Sequence, residues 1–131
     1  MVSLSMQRKI TFKFYDQKRK RLMDVLSIDW GNGLIVCTYG GQGWLSLIED
    51  GDLLPYTDRK DKYRKEIFEG HIIIEHDHLG GKLPLEVYWD ATESGFRCRR
   101  ATYHGPLPAS KNTEVIGNRY ENPELLQARD E

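Results

Sequence analysis

Along most of the chain, apolar and polar residues alternate with a period of two, the spacing of strands that bury one face. Ile10, Phe12 and Phe14 alternate with Thr11, Lys13 and Tyr15, and the polar run Asp16 to Lys20 reads as a hairpin turn. Leu22, Leu26, Ile28 and Trp30 then share one face of a second strand, with Asp24 as the exception. The spacing of Leu22, Val25 and Leu26 also fits a turn of helix, so the period is ambiguous there. Gly31-Asn32-Gly33 tolerates the positive φ that tight turns need. The strand-like run Leu34–Tyr39 follows, then a second glycine turn over 40–43 and two further strand-like runs, WLSLI and DLLPYT.

The second half continues in this style. His71 to Glu75 is rich in β-branched residues, Gly80-Gly81 predicts a turn, and Leu83, Leu85, Val87 and Trp89 alternate with Pro84, Glu86, Tyr88 and Asp90. Glu93-Ser94-Gly95 turns the chain again, after which Phe96 and Cys98 alternate with Arg97 and Arg99. Only the end has a helical signature: Asn122 as a cap, Pro123 at the first helical position, and Glu124 to Ala128 as one or two turns. The pattern predicts a mainly β fold, a small barrel or sandwich of short strands. It shows no internal repeat, and its 131 residues suit a single domain.

Three blocks resemble the YopX-like family of phage and prophage proteins, in that family's order. They are ITFKFYDQKRKRLMDVLSID (Ile10 to Asp29), LPYTDRKDKYRKEIFEGHIII (Leu54 to Ile74) and EVIGNRYENPELL (Glu114 to Leu126). The last is the most specific. The resemblance implies N-terminal strands over about 8–50 packed beside an SH3-like barrel over 51–128, closed by the short C-terminal helix. It implies a phage- or prophage-encoded accessory protein and carries no biochemical activity with it. The sequence departs from the family pattern at Asp58-Arg59, at Tyr63-Arg64 where the family has Asn-Gly, and at His71 where it has Asp. A type I′ turn is therefore not expected at Tyr63-Arg64.

Composition narrows the chemistry. The formal net charge is −1, whereas a dedicated phosphate binder is usually strongly basic. The charge is polarised, with +4 over residues 1–30 and −3 over 114–131, which would let the two ends meet between copies. Cys37 and Cys98 lie far apart in apolar runs, as buried reduced thiols do. Arg97 and Arg99 flank Cys98, but in an alternating strand they point away from it, so an activated thiol is not expected. No apolar run is long enough to span a bilayer and the first residues lack a signal-peptide pattern, which leads to the expectation of a cytoplasmic protein. Met6 offers an alternative start.

No catalytic, cofactor-binding or metal-binding residues are assigned. His76 and His78 flank Asp77, but two imidazoles before a glycine turn fall short of a zinc set. The glycine turns match neither a P-loop nor a dinucleotide fingerprint. What remains is basic clusters at Lys18–Arg21, at Arg59, Lys60, Lys62, Arg64 and Lys65, and at Arg97, Arg99 and Arg100. Tyr56, Tyr63, Phe68, Tyr88 and Tyr103 lie near them. The expectation is a non-enzymatic module without cofactor that binds another protein or itself. The alternative is a small barrel that binds nucleic acid through those clusters.

Overall fold

A computed structural model describes residues 11–76 and 83–127. The fold is mainly β, in two compact units, residues 1–58 and 59–131. Among the described residues the strands pair antiparallel, and both sheets stay open rather than closing the expected barrel.

The first unit holds β1 (Phe12–Asp16), β2 (Arg21–Asp29), β3 (Leu34–Tyr39), β4 (Gln42–Leu47) and the start of β5 (Gly51–Lys60). Their order in the sheet is β4-β3-β2-β1-β5, which makes β4 an edge among the described residues. The β3–β4 hairpin turns on Gly40 and Gly41, both with positive φ (59° and 80°), as a type I′ turn requires. Phe14, Met23, Ile35 and Cys37 form the core, with Val25, Ile28, Trp44 and Leu53 packed against it.

The buried face of β2 differs from the one that simple alternation predicts. Val25 pairs with Cys37 and Ser27 with Val36, so Leu26 is an extra residue in a β-bulge. The bulge reverses the parity of the strand. Met23 and Val25 face the core before it and Ile28 after it, the extra residue Leu26 is left 65% exposed, and Trp30, past the end of the strand, is 66% exposed.

The second unit is built on β6 (Glu66–Phe68), β7 (His71–Glu75), β8 (Leu85–Asp90), β9 (Gly95–Arg100), β10 (Tyr103–Pro106) and β11 (Thr113–Asn118). Five of them form a sheet in the order β10-β9-β8-β7-β11, while β6 lies beside the end of β5. Its core is Ile67, Ile73, Val87 and Cys98. Gly70 takes φ 90° in the turn between β6 and β7, and there the His71 Nδ1 accepts the Phe68 N–H at 2.9 Å. A carboxylate at position 71 would accept the same bond.

The C-terminal helix is shorter than its sequence signature. Pro123–Leu126 forms a 3-10 turn, and Asn122 does not cap it. The Asn122 Oδ1 instead accepts the Asn118 N–H at 3.1 Å. Ala128, Gly80-Gly81, Asp77 and His78 lie outside the described residues.

Candidate functional site

Three hairpin turns share one device. Asp16, Asp29 and Asp90 each end a strand, a left-handed residue follows four positions on (Lys20, Gly33, Ser94), and the next strand begins immediately. In each, the carboxylate accepts N–H groups of the turn: Lys18 and Arg19 on Asp16, Asn32 on Asp29, Thr92 and Glu93 on Asp90. These are Asx-type contacts, which stabilise a turn locally. Asp16 is 1% exposed and also accepts from Ser46 Oγ (2.8 Å) and Arg19 Nη1 (2.6 Å). Burial raises its pKa, but the donors of Arg19, Ser46 and Lys18 outweigh that and hold the group below the usual carboxylate range. Since β4 lies three strands from β1 in the sheet, the Ser46–Asp16 bond requires the sheet to curl.

Asp61 does similar work with a longer reach. It is 5% exposed and accepts N–H groups of Tyr63 (2.8 Å), Lys65 (2.9 Å) and Val115 (3.0 Å). Burial pushes its pKa up, yet the Val115, Lys65 and Tyr63 amides bring it below normal. Arg64 in this loop is left-handed (φ 69°), so the turn needs one positive φ here and not the two of type I′. The arrangement explains why Tyr63-Arg64 stands without an Asn-Gly pair.

Within the second unit, the basic cluster of Arg97, Arg99 and Arg100 is split between two faces of the sheet. Arg97 and Arg99 share one face of the second sheet with Glu86, Tyr88 and Asp90 of β8 and His104 of β10. Arg99 pairs with Glu86 at 3.3 Å and lies over the Tyr88 ring at 4.2 Å. Arg119 reaches Glu86 at 3.0 Å, and Arg97 stands 3.5 Å from Asp90, an ion pair without hydrogen-bond geometry at its Nε. The Tyr88 hydroxyl donates to Asp90 (3.1 Å) and so accepts from the Nδ1–H of His104 (3.0 Å). Arg100 points to the other face, where it donates to the carbonyls of Pro84, Leu125 and Gln127.

Elsewhere, Arg19 is held by Asp16 and Lys18 by Asp50 (3.2 Å), and Arg59 donates to the Pro108 carbonyl. Arg21 and Lys62 lie over the rings of Tyr39 and Tyr63. His76 pairs with Glu114 at 2.7 Å, and among the described residues no three His, Cys, Asp or Glu side chains gather as a metal set.

Both thiols are buried. Burial, then the Asp16 charge, pushes Cys37 up to about 11 against the pull of Arg19. Burial, then Glu75, pushes Cys98 up to about 11 against Arg97. The Cys98 Sγ donates to the Pro106 carbonyl at 3.3 Å, so its flanking arginines do not activate it.

The feature without a structural role in the fold is apolar. On β3 and β4, Ile35, Cys37, Trp44 and Ser46 face the core side, so Leu34, Val36, Leu45 and Leu47 take the outer face. Leu34 is opposite Leu47, and Val36 is opposite Leu45. Leu45 is 61% and Leu47 38% exposed, and Trp30 shares a shallow depression with Leu47. Exposed Leu26 extends this surface at the bulge beside Val36. Isolated exposed leucines are ordinary, but a contiguous group marks an interaction surface. Sequence reasoning missed it because alternation placed Leu26 and Trp30 on one face with Leu22 and Ile28.

Among the described residues, no helix is long and apolar enough to cross a membrane. No curated protein matches the chain. Among solved structures, protein EF1440 from Enterococcus faecalis is similar, with a TM-score of 0.58, 21% identity, and 92% of this chain and 100% of that one covered. That likeness concerns the fold. The YopX protein family matches residues 6–127, nearly the whole sequence, and the chain therefore belongs to the YopX family.

Proposed function

We propose that this protein is a non-enzymatic phage or prophage accessory module, cytoplasmic in its host, that works by binding another polypeptide. The observation that carries this reading is the exposed apolar surface of Leu26, Trp30, Leu45 and Leu47 on the first unit. A surface of that kind is removed from water by a protein partner, at about 25 cal/mol per Å² of apolar area. The second unit supports the reading as an SH3-like element. β7 to β10 run as a meander, a 3-10 turn at Ser110–Asn112 follows, and β11 returns beside β7.

The nucleic-acid alternative is weaker on the same structure. Affinity for phosphates comes from cations that release counterions, and Arg97, Arg99, Arg119, Arg19 and Lys18 already face carboxylates. Within the second unit, Arg100 takes the face opposite Arg97 and Arg99, which divides the basic cluster there. The test is a fluorescence-anisotropy titration with mixed-sequence DNA and RNA at low and physiological salt, repeated with Arg97→Ala/Arg99→Ala. The expected result is no saturable binding in the micromolar range. Binding that weakens with salt and with the double substitution would replace the protein-binding reading with the nucleic-acid one.

A further inference from the structure

We infer that the outer face of β3 and β4 is an isologous interface, joining two copies of this chain about a two-fold axis near Leu45. The inference rests on the protein-binding reading and names its partner. Two observations select a second copy.

The first is charge. From Trp30 to Ile48 the chain has no Asp, Glu, Lys, Arg or His, although 30% of the whole sequence is charged. An isologous contact sets a patch against itself, so each charge near the axis would meet its like. A segment exposed on its outer face yet free of charge suits self-contact. The charges that border Leu45 and Leu47 are paired within the copy, Lys18 with Asp50 and Arg19 with Asp16, and Glu49 stands at the margin beside Trp30.

The second is the edge. β4 reads Gln-Gly-Trp-Leu-Ser-Leu, without the Lys, Pro or bulge that usually protects an edge strand. The two-residue turn at Gly40-Gly41 closes on a hydrogen-bonded pair, Tyr39 and Gln42. The pairs alternate, so Cys37–Trp44 and Ile35–Ser46 are also bonded, and the N–H and C=O groups of Gly43, Leu45 and Leu47 face outward from the sheet. Antiparallel pairing of two β4 strands about Leu45 satisfies those groups mutually. It sets Leu45 beside Leu45 and Gly43 opposite Leu47, where the missing side chain leaves room. The apolar surface then continues across the axis from one copy to the other.

The full chain is tested by sedimentation velocity from about 1 to 300 µM, a range that brackets ordinary micromolar association. Wild type is expected to dimerise, and raised salt is expected not to weaken the dimer, since the strand itself carries no charge and the bordering charges pair within each copy. Leu45→Lys and Leu45→Glu are each expected to weaken the dimer by more than about tenfold, because like charges meet at the axis. Mixing the two variants is expected to restore association, which only an isologous contact centred near position 45 allows. Leu45 is exposed, so both variants should keep the wild-type circular dichroism.

A wild-type monomer across the range overturns the inference, as does a Leu45→Lys protein that still dimerises. A dimer that dissociates with salt also overturns it and points to pairing between the basic and acidic ends of the chain. Failure here with no nucleic-acid binding leaves the protein-binding reading intact, whereas salt-sensitive DNA or RNA binding removes that reading whatever the oligomeric state.

Discussion

Asp61→Ala removes one acceptor from three backbone donors, and the expected loss follows from where those donors lie. The Tyr63 and Lys65 amides belong to a turn whose Tyr63 is 65% exposed, so water can reach that loop when the carboxylate is gone. The Val115 amide belongs to β11, in the part of the sheet bonded to β7, and has no such substitute. A hydrogen bond to a charged acceptor contributes about 1.5–3 kcal/mol, and the hydration that the buried carboxylate gives up offsets part of the total. The net expectation is a loss of about 3 kcal/mol, dominated by the Val115 bond. Asp61→Asn keeps an oxygen for Tyr63 and Lys65 but turns an NH2 toward the Val115 N–H, and is expected to lose about 2 kcal/mol.

The pH dependence has a definite sign. The folded-state pKa of Asp61 is depressed, so its contribution is present above the unfolded value of about 4 and disappears as pH falls through the lower folded value. The advantage of wild type over Asp61→Asn should therefore be constant near neutrality and shrink below about pH 4. Denaturant unfolding at pH 7 and at pH 3 measures the difference, and hydrogen exchange reports the Tyr63, Lys65 and Val115 amides directly. If Asp61→Ala costs less than about 1 kcal/mol and the Val115 amide stays protected, the carboxylate does not hold the loop to the strand and the reasoning fails.

The bulge in β2 makes a paired prediction: Met23→Ala should cost about 2–4 kcal/mol as a core truncation, while Leu26→Gln should change stability by less than about 0.5 kcal/mol. Equal losses at the two positions in denaturant titrations would mean that Leu26 is buried. For the thiols, with both pKa values near 11, labelling of Cys37 and Cys98 by a disulfide reagent at pH 8 should be slow and should accelerate on adding denaturant. Fast stoichiometric labelling of the native protein would show an accessible, activated thiol.

Much of the fold was legible because alternation and turn chemistry are local. The runs Leu34–Tyr39, His71–Glu75, Leu85–Asp90 and Gly95–Arg100 are strands, and Gly40-Gly41 and Ser94 sit in turns, as the pattern predicts. The strand-ending aspartates were also within reach, since an Asp followed four positions on by Lys, Gly or Ser recurs at Asp16, Asp29 and Asp90. That signal was passed over because the same residues read equally well as generic turn polarity. Asp61 was not readable, for its third donor lies on β11, far along the chain.

What the amino-acid sequence determined by itself is the mainly β class, the YopX membership and the buried character of the two cysteines. Each depends on short-range periodicity or on a run of residues in order, and neither requires knowing which strands meet. Tertiary structure decided which residues are exposed and which charges are spent. One extra residue at Leu26 reverses the side-chain parity of β2, and only the pairing of Val25 with Cys37 and Ser27 with Val36 reveals it. The arginines likewise look free in sequence, because Glu86, which binds both Arg99 and Arg119, is distant from each along the chain and adjacent only in space. Parity and pairing are set by neighbours across the sheet, and the one-dimensional pattern does not contain those neighbours.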